Sequence, residues 1–160
     1  MKKLFKILLW MITVSAAIKA MAVALTKIIG ENTDKEADEF KLVALMGGRN
    51  YESVSSHLRS GRVIAAMGGV DIDLRQAHLD PEGARLNLRV LAGGARVLVC
   101  ESWRVEVDHR VIGGAAQIEI PDPETLPDGA PILHIDALTV GGGLVIANAE
   151  SESHVVRSST

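Results

Sequence analysis

Between residues 41 and 148 apolar and polar residues alternate one by one in short runs, and paired glycines interrupt the runs at near-regular intervals. In "VIAAMGGVDIDLR", residues 63–75, Val70, Ile72 and Leu74 point one way and Asp71, Asp73 and Arg75 the other, the period of two that marks a half-buried strand. Ala95, Val97 and Val99 repeat it, as do Leu86, Leu88 and Val90. The pairs are Gly47 and Gly48, Gly68 and Gly69, Gly93 and Gly94, Gly113 and Gly114, and Gly141 and Gly142, with first glycines 21, 25, 20 and 28 residues apart. The longest interval carries "PDPETLPDGAP". Turn signals lie between the pairs: "RSG" at 59–61, "DPEG" at 80–83 and "PDG" at 127–129. Each unit therefore spells strand, glycine pair, strand, turn, and nothing after residue 40 keeps a helical period.

Paired glycines are poor strand residues, so their recurrence needs a cause. If the five units stack as coils of a β-solenoid, every pair falls at the same corner, where a Cβ would meet the backbone of the next coil. One coil cannot bury its own apolar row, which explains why several units are present. Five coils at roughly 4.8 Å each give a rod of about 24 Å. Gly69→Val or Gly94→Val is expected to destabilise such a domain by more than about 1 kcal/mol. The rival is a flat β-sandwich with glycines at strand bends; both are all-β.

A different pattern holds before residue 30. "KKLFKILLWMITVSAAIKAMAVALTKII" has no charge from 7 to 18 and none from 20 to 26. Residues 4–26, at about 1.5 Å each, reach roughly 34 Å, enough for a hydrocarbon core. This predicts one N-terminal hydrophobic helix that anchors the chain in the lipid bilayer. A cleaved signal peptide, an interfacial helix and a buried core helix are the competing assignments: lysines near "AMA" disfavour the first, and apolar residues all round disfavour the second. Residues 1–29 are thus the expected anchor, 30–40 an acidic linker, 41–148 the β domain and 149–160 a polar tail.

Charge sharpens this division. The first 30 residues hold five of the 17 basic residues and no acid, so all 20 acids lie beyond them against the other 12 basic residues. By the positive-inside rule the N-terminus of a single-pass cell-membrane protein would be cytoplasmic and the β domain outside. Aromatic residues make up 3% of the chain, so stacking platforms for single-stranded nucleic acid are nearly missing, and the acidic body has no footprint for DNA. The lone Cys100 permits no intrachain disulfide.

Chemistry-bearing patterns are sparse. His57, His78, His109, His134 and His154 show no i, i+4 spacing and no cysteine partner, so zinc spacing is missing. Asp71 and Asp73 share a face as solvated strand residues do, and "GGVDID" lacks the glycine that the calcium-binding β-roll repeat places between the pair and its aspartate. Ser102 sits in no nucleophile elbow. Trp103, beside Arg104, either caps the core at a turn or marks an exposed partner contact; the sequence leaves both open.

The run "GRVIAAMGGVDIDLRQAHLDPEGARLNLRVLAGGARVLVCESWRVEVDHRVIGGAAQI", residues 61–118, resembles the C-terminal domain of LiaF-like cell-wall-active antibiotic response proteins, also described as a toastrack domain. Segments close to "GGVDIDLRQA" and "WRVEVD" carry the resemblance, which extends more weakly over 41–147. It implies a right-handed, single-stranded β-solenoid-like fold without catalysis or cofactor. It also implies work at the bacterial envelope with membrane-bound signalling partners, a sensor kinase among them. Relatives usually have several transmembrane helices, and they tend to place proline where Cys100 and Glu101 stand. The resulting expectation is a membrane-anchored, non-enzymatic adaptor or modulator of the cell-envelope stress response, acting by protein–protein contacts. The alternative is a self-assembling scaffold at the membrane, joined through unpaired edge strands. The sequence leaves the oligomeric state open.

Overall fold

The computed structural model describes residues 6–7, 11–17, 20–21, 24, 27 and 30–148. The chain divides into two compact units, Met1–Glu31 and Asn32–Thr160. In the first, the described residues up to 27 are helical, and the side chains of Ile7, Met11, Ile12 and Met21 are exposed. Among the described residues no helix is long and apolar enough to cross a membrane. The bilayer anchor expected over 4–26, and with it the single-pass cell-membrane placement with a cytoplasmic N-terminus and an outer β domain, is corrected accordingly. Part of that segment, and the tail 149–160, lie outside the described residues.

The second unit is built from ten strands: β1 (Glu39–Ala44), β2 (Gly47–Glu52), β3 (Ser60–Ala66), β4 (Gly68–Asp73), β5 (Ala84–Leu91), β6 (Gly94–Val99), β7 (Arg104–Ile112), β8 (Ala115–Glu119), β9 (Ile132–Val140) and β10 (Gly143–Asn148). Odd-numbered strands form one five-stranded sheet in the order β1-β3-β5-β9-β7, and even-numbered strands form the other in the order β2-β4-β6-β10-β8. Every pairing in both sheets is parallel. Each unit seen in the sequence therefore gives one strand to each sheet, and the chain changes sheet at the glycines.

Stacking does not follow chain order throughout. The fifth unit, β9 with β10, lies between the third and the fourth. The insertion "PDPETLPDGAP" supplies the extra length for this crossing, with a short 3₁₀ turn at Pro123–Thr125 capped by the Asp122 carboxylate.

The alternating residues do what their period requires. In β5 Ala84, Leu86, Leu88 and Val90 are buried while Arg85 and Leu91 are exposed. Across the first sheet Leu42, Val63, Leu88 and Ala137 stand in register, and all are buried. Tyr51, Ile72, Val97 and Ile146 do the same across the second. Both rows belong to one hydrophobic core. At about 1.5–3 kcal/mol for each large side chain taken from water, these rows rather than any single ion pair hold the sheets together. One row is filled unevenly: Gly61 leaves a gap beside Leu86 that the Phe40 ring occupies.

The β1/β2 end is covered. Asn32 pairs antiparallel with Lys41, donating at 3.0 Å and accepting at 2.8 Å. Tyr51 Oη donates to Asp34 O at 2.9 Å, and Val54 N donates to Lys35 O at 2.8 Å. The Phe40 and Tyr51 rings stack beneath this cap with centroids 4.4 Å apart. The span 30–40, expected as a linker, thus contributes its residues 32–40 to the folded body. The acidic residues of this cap contribute through both backbone and side chain: Asp34 O accepts from Tyr51, while the Asp38 carboxylate accepts from Ser55 Oγ at 3.1 Å.

Candidate functional site

The glycine pairs form the most regular feature of the molecule, and their two members are not equivalent. Register places Gly47 beside Gly68, Gly48 beside Gly69, Gly69 beside Gly94, and Gly94 beside Gly143. A Cβ on Gly68 would fall within 3.0 Å of the Gly47 backbone. One on Gly93 would meet the Gly68 backbone, one on Gly142 that of Gly93, and one on Gly114 that of Gly142. A column of bare backbone therefore runs Gly47, Gly68, Gly93, Gly142, Gly114, in the same order as the strands. A Cβ on Gly69 would have nothing within 4 Å, and one on Gly94 would only touch Gly143 O at 4.0 Å. The requirement expected of Gly69 and Gly94 thus belongs to Gly68 and Gly93. Gly48 likewise has open space, while Gly113 and Gly141 are set by φ values of 66° and 65°.

Three units hold a side-chain-bearing residue at the position of Gly113 and Gly141, namely Met46, Met67 and Ala92. Met67 adopts φ 53° and Ala92 φ 48°, left-handed values that L-residues rarely take. Their amides bind like that of Gly141: Met67 N donates to Leu91 O, Ala92 N to Val140 O and Gly141 N to Ile112 O, each at 2.8 Å. Met67 is nevertheless 61% exposed, so it gains little from packing.

Met67 is not isolated. Met46, Leu91 and Ile112 are also among the exposed large apolar side chains. Ala66 pairs with Leu91, Leu91 with Val140, and Val140 with Ile112, so these side chains follow one another along the corner of the stack. An apolar ridge crossing several strands is the candidate functional surface. Its signal was present in the sequence, as an apolar residue one or two places before a glycine pair in "LMGG", "AMGG", "VLAGG" and "VIGG". Period-two counting assigns such residues to strand ends and so passes over them.

Trp103 is buried in the core, 3% exposed, and its amide donates to Cys100 O at 3.3 Å. It caps the core rather than offering a contact, which corrects the exposed alternative. Arg104 is half-exposed, and its Nε is buried with no hydrogen-bond partner among the described residues.

Titratable side chains spread over the outer faces in pairs rather than converging. Arg89 binds Asp136 at 2.9 Å, Arg75 binds Asp73 at 2.6 Å, Arg59 Nε binds Asp80 at 3.0 Å, and His134 Nδ1 lies 3.0 Å from Glu106. The Arg89 guanidinium holds the Asp136 carboxyl below its ordinary range. Among the described residues no group of three histidine, cysteine or carboxylate side chains could hold a metal ion. Two hollows of about 430 and 420 Å³ are open grooves: one is lined by Glu52, Asp71, Asp73 and Arg96, the other by Arg85, Glu106, Asp108 and His134. Compared with protein-family models, with curated proteins and with solved structures, the chain matches none.

Proposed function

We propose that residues 41–148 form a LiaF-like, toastrack-type β-solenoid that acts as a non-catalytic adaptor or modulator in the bacterial envelope-stress response. On this proposal it binds a protein partner, a sensor kinase or another envelope protein, through the Met46, Met67, Leu91 and Ile112 ridge. Parallel stacking of the repeated units and the resemblance over residues 61–118 support the family assignment.

Met67 carries the functional half of the proposal. Two equivalent corners use glycine, Gly113 and Gly141, whose left-handed backbone costs little, whereas an ordinary L-residue in that conformation, as at Met67 and Ala92, costs about 1–2 kcal/mol. A methionine kept in that conformation and turned to water gains nothing for folding. Strain of this kind clusters at functional positions, and methionine is a side chain that adapts to a partner's surface. An apolar surface spread over several coils suits a protein partner better than a small ligand.

Site-specific photocrosslinking in cells tests this. A crosslinker at Met67 or Leu91 should capture one envelope signalling protein, and Leu91→Glu should abolish capture from Met67 without altering the melting temperature. Capture equally efficient from Arg62, or no defined adduct from the ridge, refutes the proposal.

A further inference from the structure

The two ends of the stack differ, and the difference points to a second copy of the chain. At the β1/β2 end Asn32 already occupies the outer side of β1. At the other end β7, nine residues long, pairs with β9 on one side, and among the described residues no strand lies on its other side. Arg104 N donates to Pro131 O at 2.9 Å and Ile112 O accepts from Gly141 N at 2.8 Å, so even-numbered residues turn their backbone groups toward β9. By the alternation of a ladder, Val105, Val107, His109 and Val111 turn theirs to the open side.

The core is also unfinished there. Val107, Ala116, Ile118 and Ile120 pack against it but remain partly exposed, and His109 ends the row of Leu42, Val63, Leu88 and Ala137. A long edge strand beside an open core margin is a template for pairing.

The sequence of β7 selects the occupant. Laid antiparallel on its own copy with His109 opposite His109, it sets Val107 against Val111, and these outward-turned residues form the hydrogen-bonded pairs. On the outer face Asp108 then meets Arg110 of the second copy, twice by symmetry. Centring the pairing on Val107 instead would oppose Glu106 to Asp108 and Arg104 to Arg110. Centring it on Asp108 would set that carboxylate against itself. Only the first of these three registers avoids like charges.

We propose that β7 is the self-association edge of the chain, taking a second copy antiparallel about His109 in a closed two-fold dimer. β8 meets its own copy in the same way, covering Ala116 and Ile118. Head-to-tail growth would need the outer side of β1, which Asn32 occupies, so association stops at two.

Sedimentation equilibrium of the full chain at up to about 100 μM should give twice 17.1 kDa. Asp108→Arg and Arg110→Asp should each weaken association about tenfold or more, because each replaces two attractive pairs by two repulsive ones. An equimolar mixture of the two variants, and the double variant D108R/R110D, should recover it. Val107→Pro should abolish it while leaving the melting temperature nearly unchanged, since that amide faces away from β9. A monomer at the highest concentration overturns the proposal, as does a dimer indifferent to both charge reversals, or growth into longer polymers. Ridge variants such as Leu91→Glu should leave the dimer intact, which separates failure here from failure of the adaptor role.

Discussion

Gly93→Ala is the substitution that most directly probes why glycines recur. Its added Cβ would lie within 3.0 Å of the Gly68 backbone, and Gly93 itself carries Gly142 on its other side. These are backbone atoms held in parallel ladders, so no side chain can swing away to make room. Forcing a methyl group into a filled site costs about 1–3 kcal/mol, and the smaller unfolded-state entropy of alanine returns about 0.4–1 kcal/mol. A clash with fixed backbone belongs at the upper end, so the net loss should be about 2 kcal/mol, roughly 8 °C for a body of this size. Gly69→Ala is the matched control: it lies beside the same corner, has open space around its Cβ position and no positive φ. That variant should be neutral or gain up to about 1 kcal/mol. Urea unfolding of both full-length variants, followed by far-ultraviolet circular dichroism, gives the two numbers. If Gly93→Ala and Gly69→Ala unfold at the same urea concentration, close approach along the column is not what selects glycine.

Two further outcomes test the packing and the electrostatics. Thr139 is fully buried in an otherwise apolar row, and its Oγ1 has no hydrogen-bond partner among the described residues, so Thr139→Val should raise stability by about 1 kcal/mol in the same assay; a loss would mean that the hydroxyl is satisfied. Asp80 accepts the Glu82 amide and Arg59 Nε, and Asp73 accepts the Arg75 guanidinium, so both carboxyls are held below their ordinary values. Groups whose folded pKa is depressed contribute fully above the unfolded value and lose that contribution as pH falls through the folded one. Urea midpoints should therefore hold steady down to about pH 5 and drop below about pH 4, less steeply in Asp80→Asn; a midpoint that rises on acidification contradicts the assignment.

The strands and the alternation of buried with exposed residues along them were legible in the sequence, because a period of two is a local property of extended backbone. Val70, Ile72 and Leu74 sit inside for the same reason that they alternate. The glycine pairs were legible as one corner, because a position that must lack a side chain in every unit leaves the same mark each time. Distant pairing was not legible. Which glycine of each pair faces backbone depends on the register between strands some twenty residues apart, and this moved the constraint from Gly69 and Gly94 to Gly68 and Gly93. Placement of the fifth unit between the third and fourth depends on which exposed row β9 covers, a choice that alternation within β9 cannot encode. Met67 drew no expectation from the sequence, and for Trp103 the sequence left core cap and exposed contact both open. Hydrophobicity says that a side chain gains by leaving water, but only the packed sheets decide where room remains, and they leave the methionine outside and close over the tryptophan. For the N-terminal segment, apolar content over residues 4–26 suggests a span, yet among the described residues no helix is long and apolar enough to cross a membrane, because composition alone does not decide where a helix runs.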